Sequence, residues 1–484
     1  MTGQAWPALD PGTRSPLHGL HRRQLGQLEV TAQSIGTTAP AAAVASMPAI
    51  VAAQAGGATM YSFLLATVVV LLVAYCINRF ASRMAASGSL YTFVARGLGP
   101  VPAMLCGVSL ILGYGVLAMA TLVLSGGYTL RLLSFSGAGN GVALMLGLAS
   151  AAAVVMVRGV SVASRVTLAI EAAAIGAVVV VIAGLALRTH GRMDNVLIPS
   201  GAVTPGGFGA GVALAITAFI GFESAAALGP EARRPHLTVT RAIGQTVGVA
   251  GVIYLAGAAL QLSVFPGGVA GLAATSTPLP TLAVRLGAPW LSIVLDLAIA
   301  ASAFACTIAS ATALARLLFS MAREGVLPAE IGRTSQRFGT PHVAILIGWL
   351  GIVSIPLVGV ASGISVADAF VMLVTVATFG YMLAYVLVCS ALPAFLYRIG
   401  ELTASALGAG VTATVVLCAV FGLYAVPSTG TNRALFVLSG ATVLIGTGLL
   451  VRRSRGRATG VVRLGLYDEP IAADLFSPSW RRAS

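Results

Sequence analysis

Three stretches of this chain, "MYSFLLATVVVLLVAYCI", "TLAIEAAAIGAVVVVIAGLAL" and "AILIGWLGIVSIPLVGVA", run for 18, 21 and 18 residues with one charged side chain among them, Glu171. A run of this kind crosses a bilayer as a helix, which takes ~20 apolar residues. Inside hydrocarbon every backbone N–H and C=O must find its partner within the protein, so the spanning elements are helices or a closed barrel. Unbroken apolar runs lack the alternation of a barrel strand. Only 9% of the 484 residues are charged and mean hydropathy is +0.95, against about 25% charged in a soluble domain. The polar shell of a soluble fold is missing. The chain reads as an all-α polytopic membrane protein.

Hydropathy places twelve spans, beginning at about residues 30, 57, 101, 141, 163, 207, 241, 289, 342, 365, 403 and 433. The net charge of +14 would suit nucleic acid, but its distribution follows the spans. With the N-terminus inside, 23 of the 28 arginines fall on inner segments and five on outer ones, as cytoplasmic loops require. This predicts a plasma-membrane protein with both termini cytoplasmic and no nucleic-acid partner. Membrane lipids are its surroundings, and the "RRSRGR" cluster after the last span suits anionic headgroups.

All 28 basic residues are arginine, and with heavy use of alanine, glycine and valine this suggests a GC-rich bacterial genome. Cys76, Cys106, Cys306, Cys389 and Cys418 lie in or beside apolar spans with no CxxC pair. His18, His21, His190, His236 and His342 lie in tails and loops. Neither a disulfide framework nor a metal site is expected. Residues 1–29 and 455–484 read as cytoplasmic tails, disordered by composition.

Two spans are interrupted. The first, "VTAQSIGTTAPAAAVASMPAIV", carries a polar, small-residue stretch from Ser34 to Ala39 that ends in Pro40. The sixth, "GVALAITAFIGFESAAALGPEA", is broken by Gly221 and Glu223 and closed by Gly229–Pro230. Proline removes a helix hydrogen bond and clashes with the preceding turn. Free backbone groups at membrane depth are tolerated where they line a cavity, and paired interruptions in the two halves of a chain mark transporter binding sites. Half-helix N-termini favour an anion and released carbonyls an ammonium or cation, which together suit a small zwitterion. Glycine and proline are also common in membrane helices for packing alone.

Four ordered segments carry a resemblance. "FIGFESAAALGPEARRPHLTVTRAI" is similar to the sixth helix and following loop of the amino acid–polyamine–organocation (APC) superfamily permeases. "SIGTTAPAAA" resembles their first-helix break, "SGSLYTFVARGLGP" the loop after the second helix, and "ARLLFSMAREGVLPAEIGRTSQRFGTPHVAI" the eighth-helix exit. The likeness spans roughly residues 30 to 455. It implies a five-plus-five inverted repeat, residues 30–190 against 205–395, with broken helices 1 and 6 and two further helices over 400–454. It also implies secondary transport of an amino acid or related amine by alternating access, as symport or antiport, and no enzymatic activity.

The same likeness assigns residues. Ile35, Gly36, Thr37 and Thr38 would form an unwound segment whose amides, with the Thr37 hydroxyl, hold a substrate carboxylate. Many relatives have a second glycine there, where this chain has Thr37 and Thr38. Phe219, Ile220 and Gly221 would offer carbonyls to the ammonium, with Phe219 as an aromatic lid or as ordinary packing. Glu223, Glu171 and Asp296 are the acids within spans; such residues face a partner or a cavity. Glu223 reads as a structural and gating group and a candidate for proton movement, while Glu171 and Asp296 are proton-carrying candidates or satisfied network members.

Some proton-coupled or ion-independent relatives place a lysine in the fifth helix where sodium-coupled ones bind the ion, but this chain has none and Ala174 stands near that position. A sodium site could draw on first-helix carbonyls with Ser302, Thr307 or Ser310. Sodium, protons and exchange all stay open, and no other cofactor is expected. Glu231, Arg233, Arg234, Arg323 and Glu324 sit at the cytoplasmic mouth as candidates for ion pairs that close it. Other classes fit less well. A membrane enzyme acting on a lipid carrier would need convergent Asp, His or Cys chemistry. A channel would show filter or pore-ring motifs, and without lysine no Walker motif exists. The few acids near the breaks lean the substrate toward a neutral amino acid rather than a polyamine or ethanolamine-like amine. The sequence does not choose between monomer and homodimer.

Overall fold

The computed structural model describes residues 20, 22–135, 137–188, 203–285, 287–335, 337–425, 430–455 and 464–468. In chain order the helices are α1 (Gln27–Thr38), α2 (Pro40–Ala55), α3 (Thr59–Ala81), α4 (Leu90–Leu98), α5 (Pro100–Leu132), α6 (Ala138–Val157), α7 (Val160–Arg188) and α8 (Pro205–Phe219). A 3-10 stretch, Phe222–Glu231, leads to α9 (Pro235–Val264), α10 (Gly268–Ala273), α11 (Pro278–Arg285) and α12 (Pro289–Arg323). The chain continues through α13 (His342–Ala361), α14 (Val366–Arg398), α15 (Ala404–Ala425) and α16 (Gly430–Arg455). Among the described residues there is no strand, only an isolated bridge between Leu25 and Ala232.

Eleven described segments are long and apolar enough to span a membrane, and the protein is a multi-pass membrane protein. The first of them, Gln27–Ala81, holds 55 residues, more than twice the ~20 that one crossing takes. Helix starts fall within six residues of the hydropathy reading; the largest gap is α9, which begins at Pro235 where about 241 is expected. Proline at its first turn, where no N–H is needed, explains the early start.

Burial separates a centre from a rim. The most apolar window of Pro205–Glu231 is wholly buried and that of α5 is 89% buried, whereas α16 buries 22% and α6 and α15 28% each. The interrupted segment is therefore enclosed by protein, as its free backbone groups require. The outer helices turn side chains such as Leu444, Ile445 and Val180 outward, where lipid is as good a solvent as a core.

Both ends of the chain meet one face. Gln24 and Leu25 donate backbone N–H bonds to the Glu231 carbonyl at 2.8 Å, and Arg233 N–H returns one to Leu25 at 2.9 Å. Residues 464–468, read from composition as disordered tail, instead dock on this same face. Asp468 N–H donates to Ala85 at 2.7 Å, Leu466 N–H to the Glu324 carboxylate at 2.7 Å, and Arg96 to the Gly465 carbonyl at 3.0 Å. Arg22 grips Asp468 through two bonds of 2.8 and 2.9 Å. Composition gives no sign of this docking because five residues supply it through specific partners, not through apolar content. Below, this is the terminal face; the end of α5, the start of α12 and the start of α14 lie at the far face.

Candidate functional site

The first break is narrower than expected. Ile35, Gly36, Thr37 and Thr38 are helical, correcting the expectation that they unwind, and the chain departs only at Ala39, with φ 45° and ψ 61°. Pro40 starts α2; it offers no N–H, and it disfavours the α conformation in the residue before it. A left-handed alanine costs about 1 kcal/mol or more. The last turn stays helical because its polar groups are answered. Thr37 and Thr38 hydroxyls bond back to Gln33 and Ser34 carbonyls at 2.8 and 2.9 Å. The Thr37 carbonyl accepts from Cys306 Sγ at 3.0 Å.

The second break falls where expected. Helix α8 ends at Phe219, Ile220 is extended (φ −50°, ψ 137°) and Gly221 takes φ 104°. A Cβ on Gly221 would stand 2.4 Å from Thr37 Cγ2 and 2.8 Å from the Thr37 carbonyl carbon, so glycine is needed there for both conformation and space. The two breaks are fastened to each other. Ser34 donates to the Phe222 carbonyl at 2.6 Å, and the Thr37 and Ser224 hydroxyls lie 2.9 Å apart. Tyr254 of α9 donates to Ala218 at 2.7 Å and reaches Thr38 at 3.4 Å, so one phenol serves carbonyls of both breaks. Nothing in the sequence marks Tyr254, which sits in an ordinary apolar span.

Phe219 packs edge-on against Tyr254, ring centroids 4.8 Å apart, and is fully buried. It is not among the residues lining the central cavity, where its neighbours Ala218 and Ile220 are. That cavity, about 40 Å³, is bounded by Thr37, Thr38, Ala39, Ala42, Ile220 and Cys306 among others, with no charged side chain. That volume is room for a few waters, at ~10–15 Å³ each. Toward the far face a second cavity of about 290 Å³ shares Ser46, Leu124 and Phe370 with it.

The three embedded acids differ in what they touch. Glu223 accepts from Tyr114 at 2.9 Å, Tyr385 at 2.7 Å and Gly221 N–H at 3.1 Å. It holds the second break from behind and does not line the central cavity. Glu171, 1% exposed, accepts from the Ser302 hydroxyl at 2.8 Å, while its Oε2 has no described partner. Ser302 in turn accepts from Ala42 N–H of α2 at 3.2 Å, so Glu171 reaches the first break through one hydroxyl. Asp296 pairs with Arg131 at 3.1 Å, and its Oδ1 is unpartnered. Of the other hydroxyls, Thr307 lies 3.0 Å from Thr121, and Ser310 lies 3.6 Å from Cys306 Sγ. Ser302, Thr307 and Ser310 thus each serve a different partner. Ala174 is buried on α7.

The terminal face is shut. Arg316 and Glu231, 4% and 1% exposed at their side chains, form a bidentate pair with contacts of 2.7 and 3.1 Å. Arg316 is one of the arginines on the inner segments; its position on α12, seven residues before the helix ends at Arg323, buries it against Glu231. Arg233 donates to the Gln24 carbonyl at 3.1 Å, and Arg323 lies over the Phe319 ring. Arg234 caps the start of α9 and is exposed. Glu324 accepts from Tyr91 at 2.6 Å as well as from Leu466; burial pushes its carboxyl up to about 7 despite those bonds.

A sequence profile of the amino acid permease family matches residues 25–448. The chain is 25% identical over 344 residues to the branched-chain amino acid permease of Bacillus subtilis, covering 67% of this chain and 72% of that one. It is 28% identical over 342 residues to an uncharacterized transporter of Mycobacterium tuberculosis, with 67% and 72% covered. Against the mouse cationic amino acid transporter 4 the identity is 26% over 359 residues, 70% of this chain and 56% of that protein. The matched proteins are permeases, not enzymes.

Proposed function

The chain belongs to the amino acid permease family, and we propose that it is a secondary transporter of a neutral, aliphatic amino acid, working by alternating access between two inverted five-helix repeats with two helices added at the end. The observation that carries the substrate class is the lining of the central cavity at the two breaks. It contains Leu117, Leu124, Met47, Ile220 and Val374 and no acid or base. A cationic side chain would find no counter-charge there, and burying it unpaired is costly. For the zwitterion's own charges the reading is backbone groups at the two breaks, beside the bonds that Ser302 and Tyr254 already make to Ala42 and Ala218. Similarity to a branched-chain amino acid permease supports the same reading.

The excess of arginine on the terminal side supports a cytoplasmic position for that side. The conformation is then closed inward by Glu231–Arg316 and the docked 464–468 segment, and hollow outward. For the coupling ion the reading is a proton held by Glu171. Its Oε2 is a buried acceptor without a partner, one hydroxyl away from the first break. The test is uptake of labelled leucine, isoleucine, valine, alanine, arginine and putrescine into proteoliposomes, with sodium and pH gradients imposed separately. Accumulation of a branched aliphatic amino acid driven by an inward proton gradient supports the proposal. Uptake of arginine or putrescine in preference refutes the substrate class, and dependence on sodium refutes the ion.

A further inference from the structure

We propose that Tyr254 is a positioning residue of the substrate site: from behind the cavity wall it aims the carbonyls of Thr38 and Ala218, one from each break, at a substrate ammonium. This rests on the transport reading above and adds a residue to its site. Thr38 and Ala218 border the central cavity, whereas Tyr254 is not among its lining residues and is 1% exposed. Its phenol donates to the Ala218 carbonyl at 2.7 Å and stands 3.4 Å from the Thr38 carbonyl. Phe219, also outside the lining, meets the ring edge-on with centroids 4.8 Å apart and so keeps the hydroxyl in place.

The two carbonyls are short of donors because the helices are interrupted. In an unbroken helix the Thr38 carbonyl would accept from Ala42 N–H, four residues on. That N–H goes instead to the Ser302 hydroxyl at 3.2 Å. Ala218 lies in the last turn of α8, whose ladder stops at Phe219 with Ile220 extended. Tyr254 supplies what the ladders no longer do, but a phenol has one hydrogen and cannot give it to both oxygens. The distances put it on Ala218. The Thr38 carbonyl is left short of a donor, and the Ala218 oxygen keeps a second lone pair to offer. Buried acceptors in this state cost free energy that an incoming donor recovers. An ammonium carries three donors and no acceptor, so one such group completes both carbonyls, and a carboxylate, which only accepts, completes neither. Tyr254 thus prepares the place for one pole of a zwitterion and leaves the other pole to other groups.

The experiment is equilibrium binding of tritiated leucine, isoleucine, valine and alanine in turn to the purified full-length protein, comparing wild type with Tyr254→Phe. Two competitors are added: 3-methylbutylamine, which keeps the ammonium alone, and 4-methylpentanoate, which keeps the carboxylate alone. The variant retains the ring and its Phe219 contact and loses only the hydrogen bond. The amino acid and the amine should each weaken about tenfold, the worth of one hydrogen bond, and the acid less than about twofold. In proteoliposomes KM should rise about tenfold with kcat within about twofold, and this split decides where either competitor binds too weakly to read. Equal weakening of amine and acid, a fall in kcat with KM unchanged, or no change in affinity overturns the proposal and leaves transport standing. A wild-type protein that binds none of the four amino acids overturns the transport reading, and this role with it. Phe219→Leu removes the ring that holds the phenol; it should give the same amine-selective loss at about threefold, and it decides if Tyr254→Phe does not fold.

Discussion

Two ion pairs bracket the helix breaks, and they are opposites in setting. Arg316–Glu231 on the terminal side is bidentate and dry, with both side chains under 5% exposed. Arg131–Asp296 on the far side pairs through a 3.1 Å contact at Nε and leaves a carboxylate oxygen idle, and its arginine borders a cavity. A buried pair is costly to break because removing one partner strands the other charge; an exposed one is worth little. The same chemistry is thus sealed inside the protein at one end and half-open at the other.

The sharpest way to break this comparison is to delete one arginine from each pair. Arg316→Leu is expected to lower unfolding free energy by about 3–5 kcal/mol, with most of it regained in Arg316→Leu/Glu231→Met, where no charge is stranded. Arg131→Leu removes a half-exposed arginine but leaves the buried Asp296 without its partner, so it should cost less than Arg316→Leu in the same thermal unfolding assay. Equal losses would show that the two faces do not differ as described.

Next in size is Gly221→Ala, which sets a Cβ against the Thr37 backbone at a left-handed position. About 1–3 kcal/mol of strain falls on the joint between the breaks, so uptake should drop at least about tenfold while the protein still folds. Glu223 and Glu171 sharpen the contrast within the membrane. Glu223→Gln exchanges an acceptor of three bonds for a group with two donors of its own, at about 1–3 kcal/mol of stability. Glu171→Gln keeps the acceptor for Ser302 and should unfold within about 1 kcal/mol of wild type, yet uptake should lose its response to a pH gradient. A Glu171→Gln protein that still follows the gradient removes Glu171 from coupling.

The smallest effect concerns the docked 464–468 segment. Glu324, on which this segment rests, has its carboxyl raised from 4.5 to about 7 by burial, although the backbone bonds from the segment itself pull it down. The folded protein therefore holds a proton that the unfolded chain releases, and Glu324 favours the native state as pH falls from about 7 toward 4.5. The contribution is fully present below 4.5 and lost as pH rises through about 7. Thermal unfolding should therefore require a higher temperature at pH 6 than at pH 8, and Glu324→Gln should shrink that difference.

Much of this was readable from the chain because membrane helices announce themselves by length and apolar content, and because Pro40 and Gly221 are local breakers. The second break fell at Ile220–Gly221 as spelled by its glycine. The first was misplaced by a turn, since Gly36, Thr37 and Thr38 look permissive in isolation while Cys306, Tyr254 and their own back-bonding keep the turn wound. Glu223 was seen as embedded, but its partners Tyr114 and Tyr385 lie 109 and 162 residues away. Tyr254, Arg316 and Asp468 were missed for the same reason. Each carries an ordinary local signature and acquires its role only from distant residues that packing brings to it.

The central claim is that amino-acid binding at the breaks exchanges an open far side for an open terminal side. In a Cys418→Ser background, Ser46→Cys reports the far cavity and Ser320→Cys the buried end of α12 beneath the Arg316–Glu231 lock. Their rates with a membrane-impermeant thiol reagent should be measured with and without saturating leucine. Without leucine, Ser46→Cys should react and Ser320→Cys should not; with leucine the first should slow and the second should speed up. Protection of Ser46→Cys with no change at Ser320→Cys would mean binding without exchange of access, and would contradict the account.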